Sequence, residues 1–136
     1  MTSERAEIGL LDTSVLIAGE GGRPLRPEAL PGWAAISIVT VGELRAGILA
    51  APDIPSRDRR LHTLERISGT TVLSVDHRVA QVWAGMRAYL AASGKEVSGN
   101  DLWIAATAAA AEIPVVTQDR DFYALSGING LKVIEV

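Results

Sequence analysis

Asp12, Glu43, Asp101 and Asp119 each stand where an apolar run meets the start of a helical pattern. Asp12 follows Leu10-Leu11 and precedes Thr13-Ser14. Glu43 lies in Thr40-Val41-Gly42-Glu43-Leu44, Asp101 in Ser98-Gly99-Asn100-Asp101-Leu102, and Asp119 just past Val115-Val116-Thr117. An acid that ends a strand and opens a helix sits at the carboxyl edge of a sheet, where open α/β folds bind ligands. Carboxylates gathered at one edge repel, which raises pKa values or demands a cation. Mg2+ and Mn2+ take oxygen ligands, and Mg2+ keeps several waters. One or two ions held this way activate a water and steady the leaving oxygen of a phosphodiester. We therefore expect the four acids to meet and hold a divalent metal.

Each acid also has a local explanation. Thr40-x-x-Glu43 and Ser98-x-x-Asp101 match the capping-box spacing, in which the acid answers free N–H groups of the first turn. Asp12 and Asp119 stand where helix N-caps stand, and Asp121 falls in a first turn, where the helix dipole favours it. Capping and metal binding do not exclude each other. Beside the acids, Ser14 and Thr117 carry hydroxyls able to bond a carboxylate, a metal water or a phosphate, or to close a local turn. Asn100 reads as a cap. Arg45 and Arg120 each lie within two residues of an acid and could screen it or touch substrate phosphate.

These side chains need a frame. Residues 8–11 read as a first strand and 13–18 as a short helix. Residues 19–32 hold four glycines and three prolines and read as a loop. The β-branched stretch 35–39 reads as a second strand. Helices follow at 40–50 and 53–67, a strand at 70–75, and a long helix capped by Asp76 and stopped at Gly94. An alanine-rich helix at 98–111 can pack closely on its neighbours. A strand at 115–117, a short helix at 119–125 and a strand at 131–136 complete the chain. The alternation is that of a single-domain α/β fold with a mostly parallel central sheet flanked by helices. No repeat or linker divides residues 1–136.

Composition removes other chemistries. The 136 residues are 48% hydrophobic and carry a net charge of −3, so any nucleic acid must find a local basic patch. The arginines at 57, 59, 60 and 66 could supply one or form a solvated helix face. With no cysteine, disulfides, thiolate metal sites and cysteine catalysis are excluded. His62 and His77 are far from the acids in sequence and read as surface residues. The glycines near residue 20 are not followed by Gly-Lys-Ser/Thr, so no phosphate loop is present. Trp33, Trp83 and Trp103 read as packing residues, Trp83 with Met86 also as part of a partner surface. Residues 1–7 show no leader-type pattern and no stretch reaches a membrane span. A soluble cytoplasmic domain is expected.

Leu10-Leu11-Asp12-Thr13-Ser14-Val15-Leu16-Ile17, Ser37-x-Val39-Thr40-Val41-Gly42-Glu43-Leu44-x-x-Gly47, Asp101-Leu102-x-Ile104-Ala105-Ala106-Thr107-Ala108 and Val116-Thr117-x-Asp119-x-Asp121-Phe122 occur in this order. Together they resemble the PIN-domain ribonucleases, in particular the VapC toxin type. The resemblance implies that Asp12, Glu43, Asp101 and Asp119 are the acidic quartet, with Asp121 in support. It implies cleavage of RNA dependent on Mg2+ or Mn2+, a homodimer, and inhibition by a cognate VapB-like antitoxin. Two other functions fit parts of the pattern. In a phosphohydrolase Asp12 would be a covalent nucleophile, although such enzymes want a second Asp where Ser14 stands. In a non-catalytic interaction module the acids would only be caps.

Overall fold

The computed structural model describes residues 6–136. The leader-type pattern judged absent from residues 1–7 falls mostly on residues 1–5, which lie outside the described residues. The strands are β1 (Ile8–Leu11), β2 (Trp33–Ser37), β3 (Thr71–Leu73), β4 (Val115–Thr117) and β5 (Val133–Glu135). The helices are α1 (Thr13–Ile17), α2 (Ile38–Leu49), α3 (Ile54–Arg66), α4 (His77–Ser93) and α5 (Gly99–Ala110). All strand pairs are parallel, and the order across the sheet is β3-β2-β1-β4-β5. The chain runs outward from β1 to β3, then resumes on the other side of β1 with β4 and β5. The topology thus switches direction between β1 and β4, where the crevice of an open α/β sheet lies.

Side-chain alternation sorts the core into two layers. Leu10, Ala35 and Val115 face one way and pack with Val79, Met86 and Leu90 of α4 and Leu102, Ile104 and Ala105 of α5. Leu11 and Ile36 face the other way, against Leu16 of α1, Leu44 of α2 and Leu64 of α3. Removing one such apolar side chain from water contributes about 1.5–3 kcal/mol. The alanines of α5 are buried at 105, 106, 108 and 109, which lets α4 approach closely and leaves the helix nearly covered. A helix held on so many sides fixes the position of its first turn, and Asp101 is in that turn. At Gly9 a Cβ would come within 2.8 Å of the Val116 side chain, so any side chain there would force β4 or Val116 to shift.

The predicted elements are present, with β3 and β5 shorter than expected and the β2–α2 boundary displaced. β2 ends at Ser37, and Ile38 and Val39 already belong to α2. The reason is Ser37, whose hydroxyl accepts the N–H of Val39 and starts the helix. Asp53, Asp76 and Ser98 cap α3, α4 and α5 through side-chain acceptors, and Gly94 closes α4 with φ 68°. The helix expected at 119–125 is a 3-10 helix, Arg120–Leu125. Within the loop at 19–32, Pro27–Ala29 forms a 3-10 turn, and Gln118 Nε2 donates to the Pro24 carbonyl at 2.9 Å. Among the described residues no helix is long and apolar enough to cross a membrane.

Candidate active site

Asp12 leaves β1 at the switch point and is only 3% exposed. Its backbone N–H donates to Val116 O at 2.9 Å, so the ends of β1 and β4 are level. Although Asp12 holds the N-cap position of α1, its side chain makes no capping bond. Instead its Oδ2 accepts from Ser14 Oγ at 2.7 Å and from Thr117 Oγ1 at 2.8 Å. Each hydroxyl has one proton, and both protons are given to this oxygen. The 3.4 Å approach of Ser14 Oγ to Thr117 Oγ1 is therefore only a contact. The two hydroxyls in turn accept the N–H groups of Gln118 (3.0 Å) and Asp119 (2.8 Å). This network clamps one oxygen of Asp12 and leaves Oδ1 without a protein partner among the described residues.

Glu43 is held differently. The expected capping box at Thr40-x-x-Glu43 does not form, because Ser37 has already started α2 one turn earlier. Glu43 therefore lies one turn further along α2 than a capping acid would. Thr13 Oγ1 donates to its Oε1 at 2.7 Å, and Asn100 Nδ2 donates to its Oε2 at 3.2 Å. Thr13 also lies 3.1 Å from the Thr40 hydroxyl. Asn100 is thus a bridge from α5 to α2, while Ser98 supplies the cap expected of it. Neither bridge was legible from local spacing, since the partners are 30 and 57 residues apart.

Asp101 stands among the other three acids. Its pKa is raised from the ordinary 3.8 to about 6, first by burial, then by the negative charge of Asp12; Asp119 and Glu43 add to it, and a Ser98 hydrogen bond opposes it. All four sequence-predicted acids therefore share one electrostatic neighbourhood. They are not drawn into a tight cage: among the described residues, no group of three or more Asp, Glu or His side chains is close enough to grip an ion. Asp119 accepts the N–H of Asp121 at 2.9 Å and caps its 3-10 helix, and Asp121 is exposed. An all-oxygen set at this spacing suits a hard ion that keeps several waters and needs only one or two direct carboxylates.

Other candidates fall away from the acids. Arg120 turns to β5, where its Nε bonds Glu135 Oε2 at 2.9 Å, so it does not screen Asp119. Arg45 is exposed on α2. His62 and His77 are exposed on α3 and at the start of α4. Trp33 does not pack; it is 63% exposed at the far end of β2. Met86 is fully buried, so it shares no surface with Trp83, which stacks on Trp103 at 4.7 Å.

Comparison with known proteins agrees with this geometry. The PIN domain family pattern matches residues 9–128. Ribonuclease VapC5 of Mycobacterium tuberculosis is 48% identical, over 94% of this chain and 95% of its own length. Ribonuclease VapC4 of the same organism is 38% identical, over 91% of this chain and 95% of its own. A crystal structure of VapBC-5, a member of the VapBC family of toxin-antitoxin systems from M. tuberculosis, superposes with a TM-score of 0.90. It shows 45% identity and covers 96% of this chain and 99% of the matched one. Sheet order, acid placement and these matches together establish that the chain belongs to the PIN domain family.

Proposed function

We infer that this protein is a metal-dependent ribonuclease, a VapC-type toxin that hydrolyses RNA phosphodiester bonds and is neutralised by a cognate VapB-like antitoxin. The observation that carries this is the Asp12–Glu43–Asp101–Asp119 neighbourhood at the β1/β4 switch point, built from acids of which the most buried does no capping. Relatives named as VapC ribonucleases and a matching VapBC complex support it. Residues 1–136 would form one catalytic domain. The antitoxin would bind this chain as a protein partner, and two copies of the chain would form a homodimer. Substrate and antitoxin are both made in the cytoplasm, and we assign the protein there.

Mg2+, with Mn2+ able to replace it, would be held by Asp12, Glu43, Asp101 and Asp119. When bound, such an ion supplies a water of lowered pKa and positive charge for the leaving oxygen. The protein supplies placement. Ser14 and Thr117 fix the Asp12 carboxylate, so its free oxygen has one orientation. Thr13 and Asn100 do the same for Glu43. Asp101 surrenders its proton at neutral pH against the charge of its neighbours, which primes it for a cation. Asp121, at the edge of the site, adds negative charge beside Asp119. Arg45 remains available for RNA, whereas Arg120 must first leave Glu135.

The test is direct. Purified protein incubated with total RNA should cleave it in millimolar Mg2+ or Mn2+ and stop when a chelator is added. Expression without its antitoxin should arrest growth, and co-expression should relieve the arrest. Undiminished cleavage in excess chelator would contradict the metal reading.

A further inference from the structure

A cavity of about 850 Å³ opens between the C-terminal half of α4 and the start of α5. It borders the acidic edge: Ser98, the cap of the turn that carries Asp101, lines one side, and Asp121 another. Its wall is the Trp83–Trp103 pair, stacked with ring centroids 4.7 Å apart and planes 11° from parallel. Two cations line the same cavity. The Arg87 guanidinium lies over the Trp83 ring at 5.8 Å, and Lys95 Nζ lies 5.7 Å from the Tyr89 ring centre. Neither has an acid within ion-pair distance; among the described residues the one ion pair is Arg120–Glu135. Glu96 is the only acid besides Asp121 on the lining. Trp83 Nε1 is buried and has no hydrogen-bond acceptor, an unpaired donor that costs free energy.

We propose that this cavity is a nucleotide subsite: it takes a base of the single-stranded RNA next to the scissile phosphate, stacked on the tryptophan wall, with Arg87 and Lys95 on the flanking phosphates. The proposal rests on the ribonuclease reading and deepens it. Four carboxylates at the strand edge repel a polyanion, so affinity for RNA must come from a neighbouring surface. Aromatic walls beside cations free of acid partners are how sequence-tolerant single-strand binding is built, Lys95 being held here only by a 3.3 Å hydrogen bond to the Tyr89 hydroxyl. The volume is in the range of small-ligand sites. A phosphate that draws Arg87 away uncovers the Trp83 face for the base.

The test uses the full-length Asp12→Asn protein, which binds without cutting, and an oligoribonucleotide of about ten nucleotides, within the usual single-strand site size. Tryptophan fluorescence should be quenched on binding. An abasic residue at one position next to the cleavage point should remove most of that quench. Arg87→Ala combined with Lys95→Ala, on exposed positions, should weaken binding about tenfold, and Trp83→Phe, which keeps an aromatic ring there, several-fold. In the cleavage-competent protein the same changes should raise KM more than they lower kcat. Melting curves establish that each variant is folded. Affinity unchanged within about twofold in the folded double variant would overturn the proposal, as would a quench indifferent to the abasic position. If the double variant instead dissociates a dimer while RNA affinity per chain is unchanged, the face belongs to a second copy and the proposal fails. Absence of RNA cleavage by the unaltered protein would instead contradict the ribonuclease reading itself.

Discussion

Asp12, Asp53 and Asp76 hold the same position on three helices, immediately before the first turn, and are put to opposite uses. On the α3–α4 side, Asp53 accepts the N–H of Ser56 at 2.7 Å and Asp76 accepts that of Val79 at 3.0 Å. Asp53 is further surrounded by help: the Ser56 bonds, then Arg59 and Arg60, hold its pKa below the ordinary value. At the β1/β4 crevice the pattern reverses. Asp12 caps nothing, and Asp101 faces burial and three like charges that push its pKa up to about 6. Asp53 is answered by a backbone N–H and nearby cations. The crevice acids have hydroxyl partners on Asp12 but, among the described residues, no cation to balance the like charges around Asp101, and on the proposed reading a bound metal would supply that balance.

Substitutions should separate the two regions. Asp12→Asn should lower RNA cleavage by well over a hundredfold, since loss of groups that merely orient metal ligands already costs 10–100-fold. Its melting temperature should stay close to that of the unaltered protein. Asp76→Ala should show the reverse, with cleavage intact and stability lower by about 1 kcal/mol. If Asp12→Asn unfolds the chain while leaving residual activity proportional to the folded fraction, the contrast is broken.

Thr117→Val should come next, with a 10–100-fold loss of activity. It removes a donor to Asp12 and strands the Asp119 N–H, costing about 1–3 kcal/mol of stability. Denaturant melts alongside cleavage rates would separate the two effects. Asn100→Ala should raise the metal concentration needed for half-maximal cleavage about tenfold, the lower end of the range for an orienting partner. Asn100→Gln should restore part of it if the amide bond to Glu43 is what matters.

The smallest effect concerns Asp101 and pH. The native state keeps the Asp101 proton up to about pH 6, whereas the unfolded chain releases it near 3.8. Between these values the native state binds more protons, so this group's contribution to stability falls as pH rises. Metal-free protein should accordingly lose stability as pH rises from about 4 to 6 on account of Asp101. Asp101→Asn should remove this component, giving a higher melting temperature at pH 8 and little difference at pH 4. A variant less stable than its parent at pH 8 would show that Asp101 is structural.

Much of this was legible because strands in a parallel sheet end sharply. An apolar run stopped by Asp12, or by Thr117 and Asp119, marks the edge where acids gather, and the four residues occur in readable blocks. Local rules failed where a residue could obey either of two. The run at 35–39 is β-branched and reads as strand, yet Ser37 captures the Val39 N–H and begins α2 early. That shift places Glu43 beyond the reach of a capping box. Thr13 and Asn100 were not legible as holders of Glu43, because bonds from α1 and α5 to α2 leave no mark on neighbouring sequence. Arg120 sits beside Asp119 in the chain, but its side chain follows β5 to Glu135. Proximity in sequence was no guide to which charge it would answer.

The central claim is that the crevice acids are placed for a cation. The most direct measurement is the melting temperature of the unaltered, Asp12→Asn and Asp53→Asn proteins as Mg2+ or Mn2+ is titrated to millimolar concentration. An ion that binds only the folded state raises the melting temperature by linkage. The unaltered and Asp53→Asn proteins should both show that rise, and Asp12→Asn should lose most of it. An equal rise in all three, or none in the unaltered protein, would contradict the assignment.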